Sequence, residues 1–176
     1  MSTSIIFSHD CLILDACCAI NLYGSGRMEE ILKAIPGGVA LAVFVLDEEI
    51  LRSNLQPLIE QGLIRVVSPD SEAEENAFVN FAVELDDGEA VTGAIATHRH
   101  WSIATDDRKA RSVFARTNPH VQILSTPELI KHWADTHKPP IAVVREVLQN
   151  IQTQARYKPP AAHALYVWWQ SIVCTS

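Results

Sequence analysis

The sequence predicts an α/β fold of three layers, in which helices cover both faces of a mainly parallel β-sheet. Short apolar runs such as CLILD (11–15) and VALAVFV (39–45) recur along the chain, and such runs are typical of strands buried on both faces. Amphipathic segments of helical period separate them. This alternation of strand and helix is the pattern of βαβ units, which build a parallel sheet.

The first half of the chain supplies three of the predicted strands. After CLILD (11–15), the segment ACCAINLYGSG predicts a short helix that ends at glycine, and RMEEILKAI (27–35) places its apolar residues on one helical face. VALAVFV (39–45) is the second strand. The helix LDEEILRSNLQPLIEQG is predicted with a break near Pro57, because proline lacks the N–H that a helix interior needs. LIRVV (63–67) is the third strand.

The second half continues the alternation. SPDSEAEENAFVNFAVEL opens with capping residues and continues as an amphipathic helix, and DDGEAVTGAIATHRH (86–100) is a second helix, rich in small residues. WSIAT (101–105) and VQIL (121–124) are predicted strands. DDRKARSVFAR lies between them as a helix, and STPELIKHWADTHK follows as another, with Ser125 or Thr126 as its cap.

The end of the chain differs from the rest. Two Pro-Pro pairs punctuate two helical segments there, and no strand-like run is bounded by turns. We therefore predict an α/β domain at residues 1–138 and a helical C-terminal extension at residues 139–176.

Composition favours a soluble, cytoplasmic protein with a substantial core. Hydrophobic residues make up 48% of the 176 residues and charged residues 20%. No apolar run approaches the roughly 20 residues that a membrane span requires, and the N-terminus lacks the pattern of a signal peptide. The four cysteines show no CxxC spacing, so buried free thiols are expected.

Charge is unevenly distributed along the chain. Residues 1–89 contain 16 acidic and 4 basic side chains, whereas residues 90–176 contain 5 acidic and 10 basic ones. An acidic half beside a basic half is consistent with a carboxylate site flanked by a surface that attracts phosphate. The alternative is a set of ordinary solvated helix faces.

Acidic residues follow or flank the predicted strands at four places. The carboxyl ends of parallel strands meet at one edge of a sheet, so these places are expected to lie together. Such a cluster repels itself, and Mg²⁺ or Mn²⁺ would neutralise it because hard cations prefer carboxylate oxygens. Alternatively, each acid at a helix start is a cap or a partner of the helix dipole. The acids are Asp15; Glu48 and Glu49; Asp86, Asp87 and Glu89; and Asp106 and Asp107.

Four of these acidic segments, taken in order, resemble a PIN domain. They are LILDACCAINLY, VLDEEILRS, LDDGEAVTGAIA and SIATDDRKAR, and the resemblance covers roughly residues 11–125. It implies a parallel α/β fold, carboxylates that bind Mg²⁺ or Mn²⁺, and metal-assisted hydrolysis of RNA phosphodiester bonds. Many bacterial and archaeal members of the family are toxins of toxin–antitoxin pairs.

The resemblance also assigns roles to individual positions. The implied catalytic residues are Asp15, Glu48, Glu89 and Asp107, and the implied metal ligands are these four together with Asp106. Asp107 matches the final acid of the motif more closely than Asp106, which is the better candidate for the helix cap. Second choices for the site are Glu49, Asp87 and Asn21.

Residues beside the aspartate pair are candidates for contacts with the substrate. Thr105 is expected to orient a carboxylate or the phosphate. Arg108, Lys109 and Arg111 would hold the flanking phosphates, or else lie exposed on a helix. The candidate partners are RNA, an antitoxin protein and a second copy of the chain in a homodimer, with no membrane.

Two other classes of protein stay open beside the ribonuclease. Ala16, Cys17 and Cys18 stand where PIN domains often carry Ser, Thr or Asn, which favours a non-catalytic PIN-like interaction module as the alternative. A phosphoacceptor receiver domain also groups acids around Mg²⁺, although its acidic pair usually follows the first strand. A DxD phosphatase is disfavoured by Cys17, and a dinucleotide-binding fold by the lack of GxGxxG after the first strand.

Overall fold

A parallel five-stranded sheet forms the centre of the molecule. The computed structural model describes residues 5–47 and 49–174 of the chain. The strand order is β3-β2-β1-β4-β5, and every neighbouring pair is parallel. The predicted α/β fold with a parallel central sheet is therefore confirmed. The strands are β1 (Leu12–Leu14), β2 (Val39–Ala42), β3 (Ile64–Val67), β4 (Ser102–Ala104) and β5 (Ile123–Leu124).

Helices cover both faces of this sheet. α1, α2 and α7 pack against one another, while α5 packs across β1, β2 and β4. Right-handed crossovers place these two groups on opposite faces, because the chain moves outward from β1 to β3 and then returns to add β4 on the other side of β1. The helices are α1 (Ala16–Gly24), α2 (Met28–Ala34), α3 (Glu49–Glu60), α4 (Glu72–Phe81), α5 (Asp87–Arg99), α6 (Arg108–Thr117), α7 (Thr126–His137), α8 (Ile141–Gln154) and α9 (Tyr166–Val173).

The strands are shorter than the apolar runs that predict them. The second run continues past Ala42, but residues Val43–Asp47 form a 3₁₀-helix in which Val45 and Leu46 are still buried. Apolar side chains that turn into the core satisfy the same hydrophobic pattern as a strand, so the run alone does not mark the end of the ladder. The prediction that the second strand reaches Val45 is wrong.

The predicted helix break near Pro57 is also wrong, because α3 continues through Pro57 to Glu60. Proline removes one N–H and therefore one hydrogen bond from the ladder. Leu55 and Leu58, on either side of Pro57, are both buried. Their burial holds the last turn in place despite the missing bond.

The C-terminal extension is helical, as expected, and its apolar face belongs to the same core as the sheet. Val147, Leu148 and Ile151 of α8 are fully buried, as is Trp169 of α9. The boundary between two units at residue 138 stays a prediction. None of the helices in the described ranges is both long enough and apolar enough to cross a membrane.

Candidate functional site

The middle of the sheet contains a topological switch point between β1 and β4. From β1 the chain builds outward through β2 and β3, and from β4 it builds in the opposite direction to β5. Ligands of open parallel sheets bind beyond the carboxyl ends of the strands at such a point. Asp15 follows β1 and Thr105 follows β4, and the Asp15 N–H donates to the Ala104 carbonyl at 2.9 Å. We call this region the switch edge.

Asp15 is a buried carboxylate that three donors hold in place. Its Oδ1 accepts from the Ala16 N–H at 2.7 Å, which caps α1, and its Oδ2 accepts from the Thr105 hydroxyl at 2.9 Å and the Cys17 thiol at 3.1 Å. Burial raises the pKa of Asp15 above its usual value, and these hydrogen bonds oppose that rise. The side chain is therefore both oriented and destabilised as an anion.

Thr105 makes its hydrogen bonds to other residues of the protein and not to solvent. Its side chain is fully buried, its hydroxyl donates to Asp15 Oδ2, and the same oxygen accepts from the Asp107 N–H at 3.2 Å. Thr105 thus links the two acids that follow β1 and β4. Of the two roles expected for it, the geometry shows the one of orienting a carboxylate.

Glu89 brings a further carboxylate to the switch edge from the first turn of α5. Asp86 caps this helix, accepting from the Glu89 N–H at 2.8 Å, and Glu89 completes a capping box by accepting from the Asp86 N–H. Burial, together with the negative charges of Asp86, Asp107 and Asp15, raises the pKa of Glu89 to about 7. Asp87 lies exposed in the same turn.

The two adjacent aspartates have roles that reverse the expected capping assignment. Asp107, and not Asp106, caps α6, because its Oδ1 accepts from the Ala110 N–H at 2.8 Å. The negative charge of Asp107 is also one of those that raise the pKa of Glu89. The prediction that Asp106 is the better cap is wrong, since one step along the chain turns its side chain toward α1 and α7 instead.

Asp106 is the centre of a cluster that joins four parts of the chain. Its Oδ1 accepts from the Thr126 N–H at 3.0 Å and the Tyr157 hydroxyl at 2.9 Å. Its Oδ2 accepts from Asn21 at 2.9 Å, from Cys18 at 3.2 Å and from the Thr126 hydroxyl. Asn21 thereby makes a polar contact beside the acids, as expected of it. We call these residues the Asp106 cluster.

Three residues of this cluster lie outside the predicted site: Cys18, Thr126 and Tyr157. The sequence indicates Thr126 only as a helix cap, and Tyr157 comes from the extension, 51 residues along the chain from Asp106. Burial and the negative charge of Asp106 raise the pKa of Tyr157, so its hydroxyl stays a donor. No local pattern in the sequence connects Tyr157 to β4.

A second set of ligand atoms lies on the α1 side of the switch edge. Cys17, Cys18 and Asp106 offer two sulfurs and a carboxylate oxygen, all within 4.8 Å of one another, close enough to share one ion. Thiolates select softer metals than Mg²⁺. Burial raises the pKa of Cys18 well above its usual value, so this sulfur is a protonated donor to Asp106. The cysteines are free, as expected, although Cys17 is only partly buried and Cys174 is exposed.

The basic residues after Asp107 divide into two groups. Arg108 and Lys109 are exposed in the first turn of α6, next to Asp107. Arg111 instead donates from Nη1 to the carbonyls of Thr105 at 2.9 Å and Leu124 at 3.1 Å. It therefore ties the ends of β4 and β5 together, while Arg108 and Lys109 can meet an anion from solvent.

The remaining predicted acids are those at the start of α3. Glu48 lies outside the described residues, and Glu49 is the first residue of α3, with its side chain outside what the structure describes. Their assignment as ligand and second choice stays a prediction. Asp15, Glu89 and Asp107 are thus the predicted ligands that the fold brings to one edge.

The fold and the switch edge define an α/β protein with an all-parallel sheet and a carboxylate-rich switch point. A scan against protein-family models finds no matching family, and a search of curated proteins finds no match. The resemblance to PIN domains therefore stays a prediction.

Proposed function

We propose that the protein is a ribonuclease that depends on Mg²⁺ or Mn²⁺ and hydrolyses RNA phosphodiester bonds at the switch edge. One observation carries this proposal. Glu89 lies close enough to Asp15, Asp86 and Asp107 for their charges, added to burial, to raise its pKa to about 7. Perturbed carboxylates that converge at one edge of the sheet favour a functional site over a set of independent helix caps.

The donor chemistry at this edge fits a hard divalent cation. Asp15, Glu89 and Asp107 offer oxygen ligands, and Glu48 is the predicted fourth. A bound cation would neutralise their repulsion, activate water and stabilise charge on the phosphate. No side-chain nucleophile is required.

The surrounding residues support the same chemistry. Thr105 and the Ala16 N–H fix the orientation of Asp15, so little reorganisation is needed when a ligand binds. Arg108 and Lys109 place positive charge next to Asp107, where the phosphates of a bound strand would meet it. Arg111 stabilises this arrangement, because its hydrogen bonds to the Thr105 and Leu124 carbonyls join the ends of β4 and β5.

A double substitution separates the metal site from the helix caps. Asparagine caps helices about as well as aspartate, so Asp15→Asn with Asp107→Asn should retain both caps while removing two negative charges. We expect the variant to fold, to lose Mn²⁺ binding by calorimetry, and to lose cleavage of a mixed-sequence RNA in Mn²⁺. Unchanged Mn²⁺ affinity would overturn the proposal.

The matched control neutralises two acids elsewhere. Glu72 and Glu75 are exposed in the first turn of α4, so Glu72→Gln with Glu75→Gln changes the net charge by the same amount. This variant should bind Mn²⁺ and cleave RNA like the unmodified protein. An equal loss in both double variants would mean that overall charge, and not the switch edge, governs metal binding.

The second candidate function is a non-catalytic PIN-like interaction module. Ala16, Cys17 and Cys18 favour it, because they replace the hydroxyl or amide groups that PIN domains often carry after the first aspartate. Mn²⁺ binding without cleavage of any RNA would support this candidate against the ribonuclease.

The proposal also includes a role as a toxin with an antitoxin partner, which growth experiments in cells can test. Expression of the chain should arrest growth, and co-expression of a neighbouring gene should relieve the arrest. Expression of the Asp15→Asn, Asp107→Asn variant should be harmless. Growth arrest by that variant would separate toxicity from the switch edge.

A further inference from the structure

A surface cavity of about 460 Å³ lies in the C-terminal extension, outside the part of the chain that resembles a PIN domain. Its size is within the range of small-ligand sites. Two cationic and two amide side chains dominate the lining, and none of the described residues that line it carries a carboxylate. The lining residues are Gln152, Arg156, Tyr157, Lys158, Gln170 and Val173. We call it the extension cavity.

The path of the chain brings the extension cavity to the switch edge. α7 leads away from this edge, since it begins at Thr126 beside Asp106, and its His132 contacts the Ala34 carbonyl, which precedes β2. α8 then leads back. Beyond its end, the Tyr157 hydroxyl donates to Asp106 at 2.9 Å, and Tyr157 is also one of the residues that line the extension cavity. One residue therefore borders both.

The positive charge of its lining favours an anion as the ligand of the cavity. Arg156 and Lys158 are exposed, and within the described residues neither forms an ion pair. Arg156 also has a φ of 55°, a left-handed conformation in which glycine is the usual residue after a helix.

We propose that the extension cavity binds a backbone phosphate of the RNA strand through Arg156 and Lys158. This proposal rests on the proposed function, because it makes the cavity a second contact for the strand that lies over the switch edge. Arg108 and Lys109 border the edge next to Asp107, and the extension cavity borders it next to Asp106. In this proposal the two pairs of cations hold phosphates on either side of the bond to be cut.

RNA binding without divalent metal tests the proposal apart from catalysis. We would measure the affinity of a fluorescein-labelled single-stranded RNA by anisotropy in EDTA, over a series of salt concentrations. Each phosphate contact with a single strand contributes about 0.7 to the slope of log K against log salt. Loss of this one contact in Arg156→Gly with Lys158→Gln should therefore lower the slope by about 0.7 and weaken binding at low salt.

Lys138, directly after the C-terminal end of α7, provides a closely matched control. Lys138 is also an exposed cation in the left-handed conformation after a helix, with a φ of 49°. Lys138→Gly should leave the RNA affinity and the salt slope unchanged. Arg156→Gly should also melt at an equal or higher temperature than the unmodified protein, because glycine suits this conformation, so lost binding would not be a failure to fold.

The outcomes separate the alternatives. An unchanged affinity and slope in the Arg156→Gly, Lys158→Gln variant would overturn the proposal, as would an equal effect of Lys138→Gly. Binding of inorganic phosphate that depends on Arg156, with RNA binding that does not, would assign the cavity to free phosphate and overturn the RNA assignment. Altered RNA binding with no cleavage in Mn²⁺ would support the cavity while contradicting the ribonuclease.

Discussion

Asp106 and Asp107 are adjacent acids whose replacement by alanine should have opposite consequences. In Asp106→Ala, the Asn21 amide, the Thr126 N–H and hydroxyl, and the Tyr157 hydroxyl all lose their acceptor. Asn21 is 4% exposed and Thr126 is fully buried. Each unsatisfied buried donor costs about 1–3 kcal/mol, and Asn21 keeps a second bond to Thr126, so we expect a loss of about 3–5 kcal/mol.

Asp107→Ala provides the comparison at the neighbouring position. It removes one helix cap, which costs about 1 kcal/mol. It also removes a predicted metal ligand, so Mn²⁺ binding should be lost although the protein is nearly as stable as before. Urea denaturation followed by circular dichroism measures the first effect and calorimetry the second. Equal losses of stability in the two variants, or Mn²⁺ binding that survives Asp107→Ala, would refute this division of roles.

Three further substitutions test other parts of the structure. Glu74 is buried and pairs with Arg99 at 2.7 Å, which lowers its pKa, so Glu74→Gln should cost about 3 kcal/mol at neutral pH. Because that stabilisation is lost as pH falls through the lowered pKa, thermal melts of the variant should depend less on pH in the acidic range than those of the unmodified protein. Gly93→Ala would place a Cβ 2.3 Å from Phe114, and should cost about 1–3 kcal/mol in urea denaturation. Cys17→Ser keeps a donor but loses a sulfur, so calorimetry should show Mn²⁺ affinity within about threefold and Cd²⁺ affinity at least about tenfold weaker.

The parallel sheet could be predicted because its three central strands, β1, β2 and β4, are buried throughout. β1 and β4 are buried at every position, which a continuous apolar run encodes directly. The acids that follow these strands were then placed at one edge by topology alone. The lengths of the strands were less predictable, because the apolar run of β2 continues into the 3₁₀-helix Val43–Asp47 without a change of pattern.

The details of the site depended on contacts that sequence spacing does not carry. Asp106 and Asp107 both precede α6, and only the three-dimensional path shows that one caps the helix while the other contacts α1, α7 and the extension. Tyr157, which contacts Asp106, follows α8 in the sequence. A periodicity argument treats each helix separately, so it contains no information about which residues meet across the fold.

The position of a bound Mn²⁺ tests the central claim most directly. Crystals grown with Mn²⁺ would reveal the ion by its anomalous scattering, independently of any assay of activity. We predict a peak at the switch edge, coordinated by carboxylate oxygens of Asp15 and Asp107 and next to Glu89. A peak confined to the sulfur side, at Cys17 and Cys18, or no peak at all at saturating Mn²⁺, would contradict the carboxylate site.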